Sequence, residues 1–229
     1  MDSCGREPTR KWPLPTAILA LLLTAWAGTY WTTCRRPAEP PSSSRPPRSP
    51  PYEKHYVTPQ QLAAAGAMSA QSPGLVATIA HDGRRRTWQE LSGGDPVVVV
   101  FIKKGCPCNV EFEPFFHRLY RAYRGSVRFI GVIDGGTATA RRYTEDNQVP
   151  YLVLADPERV LISRFRAENG AYVDLVTPAE VLDTLWPGCS AEMMRELSRR
   201  MAYLAGVEEQ SFETTDLPSA LTTGCPFAG

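Results

Sequence analysis

Histidine is nearly missing from this sequence. Three occur in 229 residues (His55, His81 and His117), and no HExxH, EF-hand or paired C-x-x-C zinc spacing is present. The common zinc and calcium sites are thereby excluded, and no metal or other cofactor is expected. Net charge is also scarce, at +1. A chain so balanced carries no basic footprint for nucleic acid, which drops out as a partner. Cysteine is sparse as well, with six at positions 4, 34, 106, 108, 189 and 225. That is too few for a disulfide scaffold at this length, yet enough for a redox site.

Charge is absent altogether from residues 13–33, "PLPTAILALLLTAWAGTYWTT". At about 1.5 Å per residue a helix of this length spans roughly 30 Å of hydrocarbon. Trp12, Trp26, Tyr30 and Trp31 lie in or near its ends, where aromatics suit the interface. Residues 1–34 are therefore expected to form an uncleaved membrane anchor. A cleaved signal peptide is the alternative, though no small-x-small cleavage site follows. Bulky residues before Cys34 argue against a lipoprotein site. Arg6, Arg10 and Lys11 precede the run, while Arg35, Arg36, Arg45 and Arg48 follow it. The positive-inside count alone does not favour an external domain. The short basic start and apolar run still resemble a signal-anchor, so a single-pass protein with an extracytoplasmic domain is expected.

Proline is over-used, but locally. Residues 35–51 hold seven prolines in seventeen residues. Such a segment cannot bury enough apolar surface to fold and serves as a semi-rigid spacer, within a linker over 35–57. Residues 58–73 then read as a short helix and connection, with Thr58 as N-cap and Pro59 in the first turn.

From 74 to 206 the pattern alternates. Asp82-Gly83 marks a hairpin. "PVVVVFI" (96–102) is a β-branched run that fits a strand covered on both faces. A helix over 108–124 buries Phe112, Phe115, Phe116, Leu119 and Tyr123 at helical spacing. Strands follow at 127–133 and 151–155, with a helix at 137–147 between them. Asp156-Pro157 are expected to open a helix reaching about Phe165. Strands at 171–176 and 180–186 are joined by a Thr177-Pro178 turn. Ser190 caps a last helix to 205, with Met193, Met194, Leu197, Met201 and Leu204 inward. Strands alternating with helices make an α/β sheet. Residues 207–229 read as a polar tail carrying Cys225, apart from a short turn near Leu217–Leu221.

The chemistry concentrates in "FIKKGCPCNV" (101–110). Cys106 stands where the strand passes into the helix, so the helix dipole lowers its pKa and favours the reactive thiolate. Lys103 and Lys104 point to opposite faces of a strand, so at most one can assist. Cys108 lies only two residues on, a spacing at which helical side chains do not face each other. A Cys106–Cys108 disulfide is conceivable if the helix begins after Cys108, and it would be strained and oxidising. Cys225, in "TTGCPF", is the other candidate partner, from a mobile tail that reaches back. A structural Cys189–Cys225 bridge is a third possibility. Glu111, Asp134 and His117 read as ordinary surface positions, and the Arg84–Arg86 run as a solvated face.

Over roughly 74–205 the chain resembles the thioredoxin-like superfamily. It is most similar to the redoxin branch, which includes alkyl hydroperoxide reductase/thiol-specific antioxidant (AhpC/TSA) proteins and membrane-tethered thiol-disulfide oxidoreductases. The spacing Phe101, Cys106, Pro114 carries the resemblance. It implies a thioredoxin-like fold, a nucleophilic Cys106 and a helix-kinking Pro114. Three departures accompany it. Asn109 holds the place of a second redox cysteine. Lys103 and Val99 stand where peroxiredoxins have a hydroxyl residue and a proline. The cis-proline position of thioredoxins falls near Ala171. The implied activity is thiol redox chemistry on a disulfide protein or a hydroperoxide, with Cys106 resolved by Cys108 or Cys225. The alternative is a non-catalytic binding module, including a Cu(I) carrier that uses Cys106 and Cys108 as soft ligands.

Overall fold

A computed structural model describes residues 55–74 and 76–227. The 13–33 run, most of the linker, Cys4 and Cys34 lie outside the described residues. Among the described residues no helix is long and apolar enough to cross a membrane.

The sheet is organised by β4 (Val97–Ile102), whose six residues are all buried. Side chains alternate along a strand, so Val98, Val100 and Ile102 enter one core while Val97, Val99 and Phe101 enter another. β4 pairs in parallel with β5 (Arg128–Ile133) and antiparallel with β7 (Val173–Val176). β5 pairs in parallel with β6 (Leu152–Ala155). The hairpin of β2 (Thr78–Ala80) and β3 (Arg85–Arg86) adds to β6, and β8 (Leu182–Trp186) adds to β7. The order across the seven strands is β3-β2-β6-β5-β4-β7-β8.

Helices cover both faces. α3 (Pro107–Tyr123) and α6 (Ala191–Ala205) pack on one core, with the expected stripes buried at Phe112, Phe116, Leu119, Met194 and Leu197. α4 (Thr137–Asp146) adds Ala140 to the same core. The opposite face is closed by α1 (Pro59–Gly66), α2 (Trp88–Ser92) and α5 (Val160–Arg164). Local caps fix several ends. Thr58 and Gln61 form a capping box at α1, and Ser190 Oγ accepts the Met193 N–H at 3.1 Å at α6. The result is a thioredoxin-like α/β fold with a mixed sheet flanked by helices.

Two local expectations are corrected. Asp156 does cap a helix, accepting the Val160 and Ile162 N–H groups at 2.8 and 2.9 Å, but α5 starts only at Val160. Arg159, in the left-handed region at φ 56°, delays the first turn. The stretch after 206 is also no free tail. Its β9 (Thr222–Thr223) pairs antiparallel with β1 (His55–Tyr56), and Phe227 is buried against the second core.

One core position breaks the hydrophobic rule. Asp174, in β7 between Val99 and Leu185, is fully buried and neither carboxyl oxygen has a hydrogen-bond partner among the described residues. Burial pushes its pKa well above the usual carboxylate range. Because the folded pKa is raised, the unfolded chain ionises first as pH rises. Stability is then lost progressively above about pH 4, by up to about 1.4 kcal/mol per pH unit, until the folded group ionises as well. Urea unfolding of Asp174→Asn at pH 4, 6 and 8 is expected to lose much of this decline and to exceed the unsubstituted protein at pH 8. Parallel pH profiles for the two proteins would contradict the assignment.

Candidate active site

The site forms where β4 ends. Lys103, Lys104 and Gly105 make the turn, with Gly105 at φ 74° and the Cys106 N–H donating to the Lys103 carbonyl at 3.1 Å. Pro107 then opens α3, where its missing N–H costs nothing, and Cys106 becomes the N-cap. The helix thus begins before Cys108, not after it as a Cys106–Cys108 disulfide would require.

Cys106 is only 3% exposed. Its sulfur nevertheless favours the thiolate, with the pKa lowered to about 5. The Cys108 thiol is the largest cause. The N–H and thiol of Cys225 follow, and these donors together outweigh the cost of burial. The Cys225 N–H reaches Cys106 Sγ at 3.1 Å. No close capping hydrogen bond joins the sulfur to its own helix, so the Asn109 N–H contributes least, at longer range.

The neighbouring thiols move the other way. Donation to Cys106 and burial hold Cys108 well above the ordinary thiol range. Burial, then the hydrogen bond and charge of Cys106, push Cys225 up to about 11. Three cysteines predicted from sequence therefore meet as one thiolate and two thiols. Cys189 stays apart, fully buried in the core, with its backbone paired to Thr222. Cys106, Cys108, Cys189 and Cys225 are all free, so the alternative of a Cys189–Cys225 bridge is not formed.

Neither lysine is among the groups that favour the Cys106 thiolate. Lys103 Nζ pairs with Asp134 at 2.9 Å, and the Lys104 N–H donates to the same carboxylate at 2.6 Å. Asp134, expected on the surface, is 7% exposed and ties the strand-to-helix turn to the end of β5. The Lys103 charge acts instead on Cys225, where it favours the thiolate.

Asn109 stands where a second redox cysteine would be. Its amide accepts the Lys103 N–H at 3.1 Å and donates to the Phe101 carbonyl at 3.0 Å. It sutures β4 to α3, a role that the spacing of cysteines does not disclose. Glu113 is a second residue that sequence reasoning missed. It is 2% exposed and accepts the hydroxyls of Tyr143, at 2.8 Å, and Tyr151, with His117 Nε2 at 3.4 Å. The only signal was an acidic residue beside an aromatic stripe. A cleft of about 450 Å³ opens beside Cys106, walled by Pro107, Val110, Ile133 and Tyr143. Among the described residues no group of three or more His, Cys, Asp or Glu could hold a metal ion.

A family model described as the AhpC/TSA family matches residues 68–184. No curated protein matches the chain. Solved structures do. A secreted disulfide oxidoreductase of Mycobacterium tuberculosis, homologous to DsbE of E. coli, is 20% identical with a TM-score of 0.50 over 59% of this chain and 100% of its own. Peroxidoxin BcpB from M. tuberculosis is 14% identical, with a TM-score of 0.51 over 62% and 98%. A putative protein disulfide isomerase from Bacteroides thetaiotaomicron is 14% identical, with a TM-score of 0.54 over 60% and 90%. At these identities the likeness concerns the fold.

Thiolate absorbance of the reduced protein is expected to titrate at Cys106 with a midpoint near pH 5. Cys108→Ala removes the largest stabilising contact. It should raise that midpoint by about one to two pH units, as for one hydrogen bond to a charged group. An unchanged midpoint would remove Cys108 as the donor.

Proposed function

The chain belongs to the AhpC/TSA family, a redoxin family of thiol oxidoreductases and peroxidases, and on that premise we propose that it is a thiol-disulfide oxidoreductase with Cys106 as nucleophile and Cys225 as resolving cysteine. The observation that carries this reading is the contact of Cys225 with the Cys106 sulfur. A hydroperoxide substrate fits less well. Lys103 stands where the peroxidases of the family have a hydroxyl residue, and its amine is engaged by Asp134.

The steps follow from the electrostatics. The Cys106 thiolate attacks one sulfur of a partner disulfide, forming a mixed disulfide and releasing the other sulfur as a thiolate, which takes a proton from water. Cys106 then carries no charge. Its hydrogen bond and its repulsion no longer add to the burial that raises the Cys225 pKa, while Lys103 still favours the Cys225 thiolate. Cys225 loses its proton to solvent and attacks the Cys106 sulfur. The partner leaves reduced, and a Cys106–Cys225 disulfide remains, to be reduced by an external dithiol protein. Cys108 stays a donor throughout. We also place this domain outside the cytosol, tethered by the 13–33 run and the Pro-rich spacer, which the absence of charge in that run supports.

Insulin-disulfide reduction and mass spectrometry of trapped adducts test the scheme. Cys106→Ser should abolish turnover. Cys225→Ser should accumulate a mixed disulfide on Cys106, while Cys108→Ser retains turnover with a slower first step. Accumulation in Cys108→Ser and not in Cys225→Ser would make Cys108 the resolving residue.

A further inference from the structure

The segment that brings Cys225 to the site is bound like a strand. The Gly224 N–H donates to the Gly170 carbonyl at 2.8 Å, the Gly170 N–H to the Cys225 carbonyl at 2.9 Å, and the Phe227 N–H to the Glu168 carbonyl at 2.8 Å. The Asn169 side chain donates to the Gly224 carbonyl at 2.9 Å. This is an antiparallel pairing, laid along an edge that ends beside the nucleophile. Its fit is narrow. A Cβ on Gly224 would lie 2.6 Å from the Gly170 carbonyl carbon and oxygen, so the residue before Cys225 must be glycine. Pro226 is exposed and Cys225 is half-buried, so among the described residues beyond Gly224 it is Phe227 whose side chain anchors this stretch deeply.

With the strap seated, Cys106 is 3% exposed and the Cys225 N–H lies against its sulfur, so the sulfur is covered on the side of Glu168–Gly170. The strap occupies the backbone edge of Glu168–Gly170, which would align an extended chain beside that sulfur. Building on the oxidoreductase reading, we infer that Glu168–Gly170 is the docking strip for an extended, glycine-cysteine-bearing segment of a protein substrate, and that Gly224–Phe227 is its internal stand-in. Substrate and strap compete for the same backbone groups. While β9 stays paired with β1, Gly224–Phe227 lifts, the substrate strand takes its hydrogen bonds, and Cys106 forms the mixed disulfide. Cys225 then returns in the same register, attacks the Cys106 sulfur, and releases the substrate cysteine as a thiolate that takes a proton from water. One strand replaces another, so resolution and release of the reduced substrate are a single event.

The probe is a synthetic peptide copying the strap, Thr-Thr-Gly-Cys-Pro-Phe, with its cysteine activated as a mixed disulfide with thionitrobenzoate. A second peptide carries valine in place of glycine. Stopped-flow release of thionitrobenzoate from full-length Cys225→Ser is expected to be at least about tenfold faster with the glycine peptide, the scale of one overpacked contact. The small disulfide bis(thionitrobenzoate) gives the reference rate for Cys106 itself. Gly224→Val in the full chain should speed iodoacetamide labelling of Cys106 by a similar factor, because the strap no longer seats. Equal rates for the two peptides, or no faster labelling in a folded Gly224→Val protein, would overturn the inference. Reaction of Cys106→Ser at the unsubstituted rate with all three disulfides would instead overturn the oxidoreductase reading beneath it.

Discussion

A negative sulfur held at 3% exposure is the constraint around which the rest of this site is arranged. Burying a charge costs several kcal/mol unless donors replace the lost water. Here the donors come from distant parts of the chain. Cys108 belongs to the first turn of α3, and Cys225 arrives from the far end of the sequence. The helix start, the strap and the sulfur therefore stabilise one another. Removing the charge by oxidation weakens one of the bonds that hold the strap, so the redox state of one atom bears on how firmly a strand is held.

The scaffold was legible because its signals are local. The β-branched run of β4, the aromatic stripe of α3 and the Phe101, Cys106, Pro114 spacing all report on short stretches of chain. The caps at Thr58 and Ser190 are local too. The site was only partly legible, for the opposite reason. Asn109 gained its role from two backbone groups of β4, and Asp134 from a turn thirty residues earlier. Neither contact has a period or a composition. The strap was read as a mobile polar tail because it lacks alternation. It is held chiefly by backbone groups, by the absence of a side chain at Gly224, and by one phenylalanine. Two glycines that must meet, at 170 and 224, leave no hydrophobic signature in either segment.

The departures from the family pattern now have a common physical sense. A second cysteine at 109 would lie on the first turn of α3, but that position is spent on holding the strand to the helix. Buried amide bonds of this kind cost about 1–3 kcal/mol to break, so a thiol there would loosen the turn that positions the nucleophile. In the proposed scheme resolving power comes from elsewhere. A strap cysteine meets that need, and it adds something a helix cysteine cannot supply. A helix residue attacks from a fixed place and leaves the partner's docking edge untouched. A strap residue can attack only from the partner's own seat.

Lys103 completes that logic. Tied to Asp134, it cannot approach the Cys106 sulfur closely enough to rank among its donors, so the nucleophile does not depend on it. Its field falls on Cys225, where it opposes the effects of burial and of the Cys106 charge. While Cys106 is a thiolate, those effects win and Cys225 keeps its proton. Once Cys106 is in a disulfide, repulsion and hydrogen bond vanish together and the lysine's contribution is left opposing burial alone. Cys225 thus loses its proton more readily after Cys106 has reacted than before, which suits the proposed nucleophile and resolving partner in one pocket.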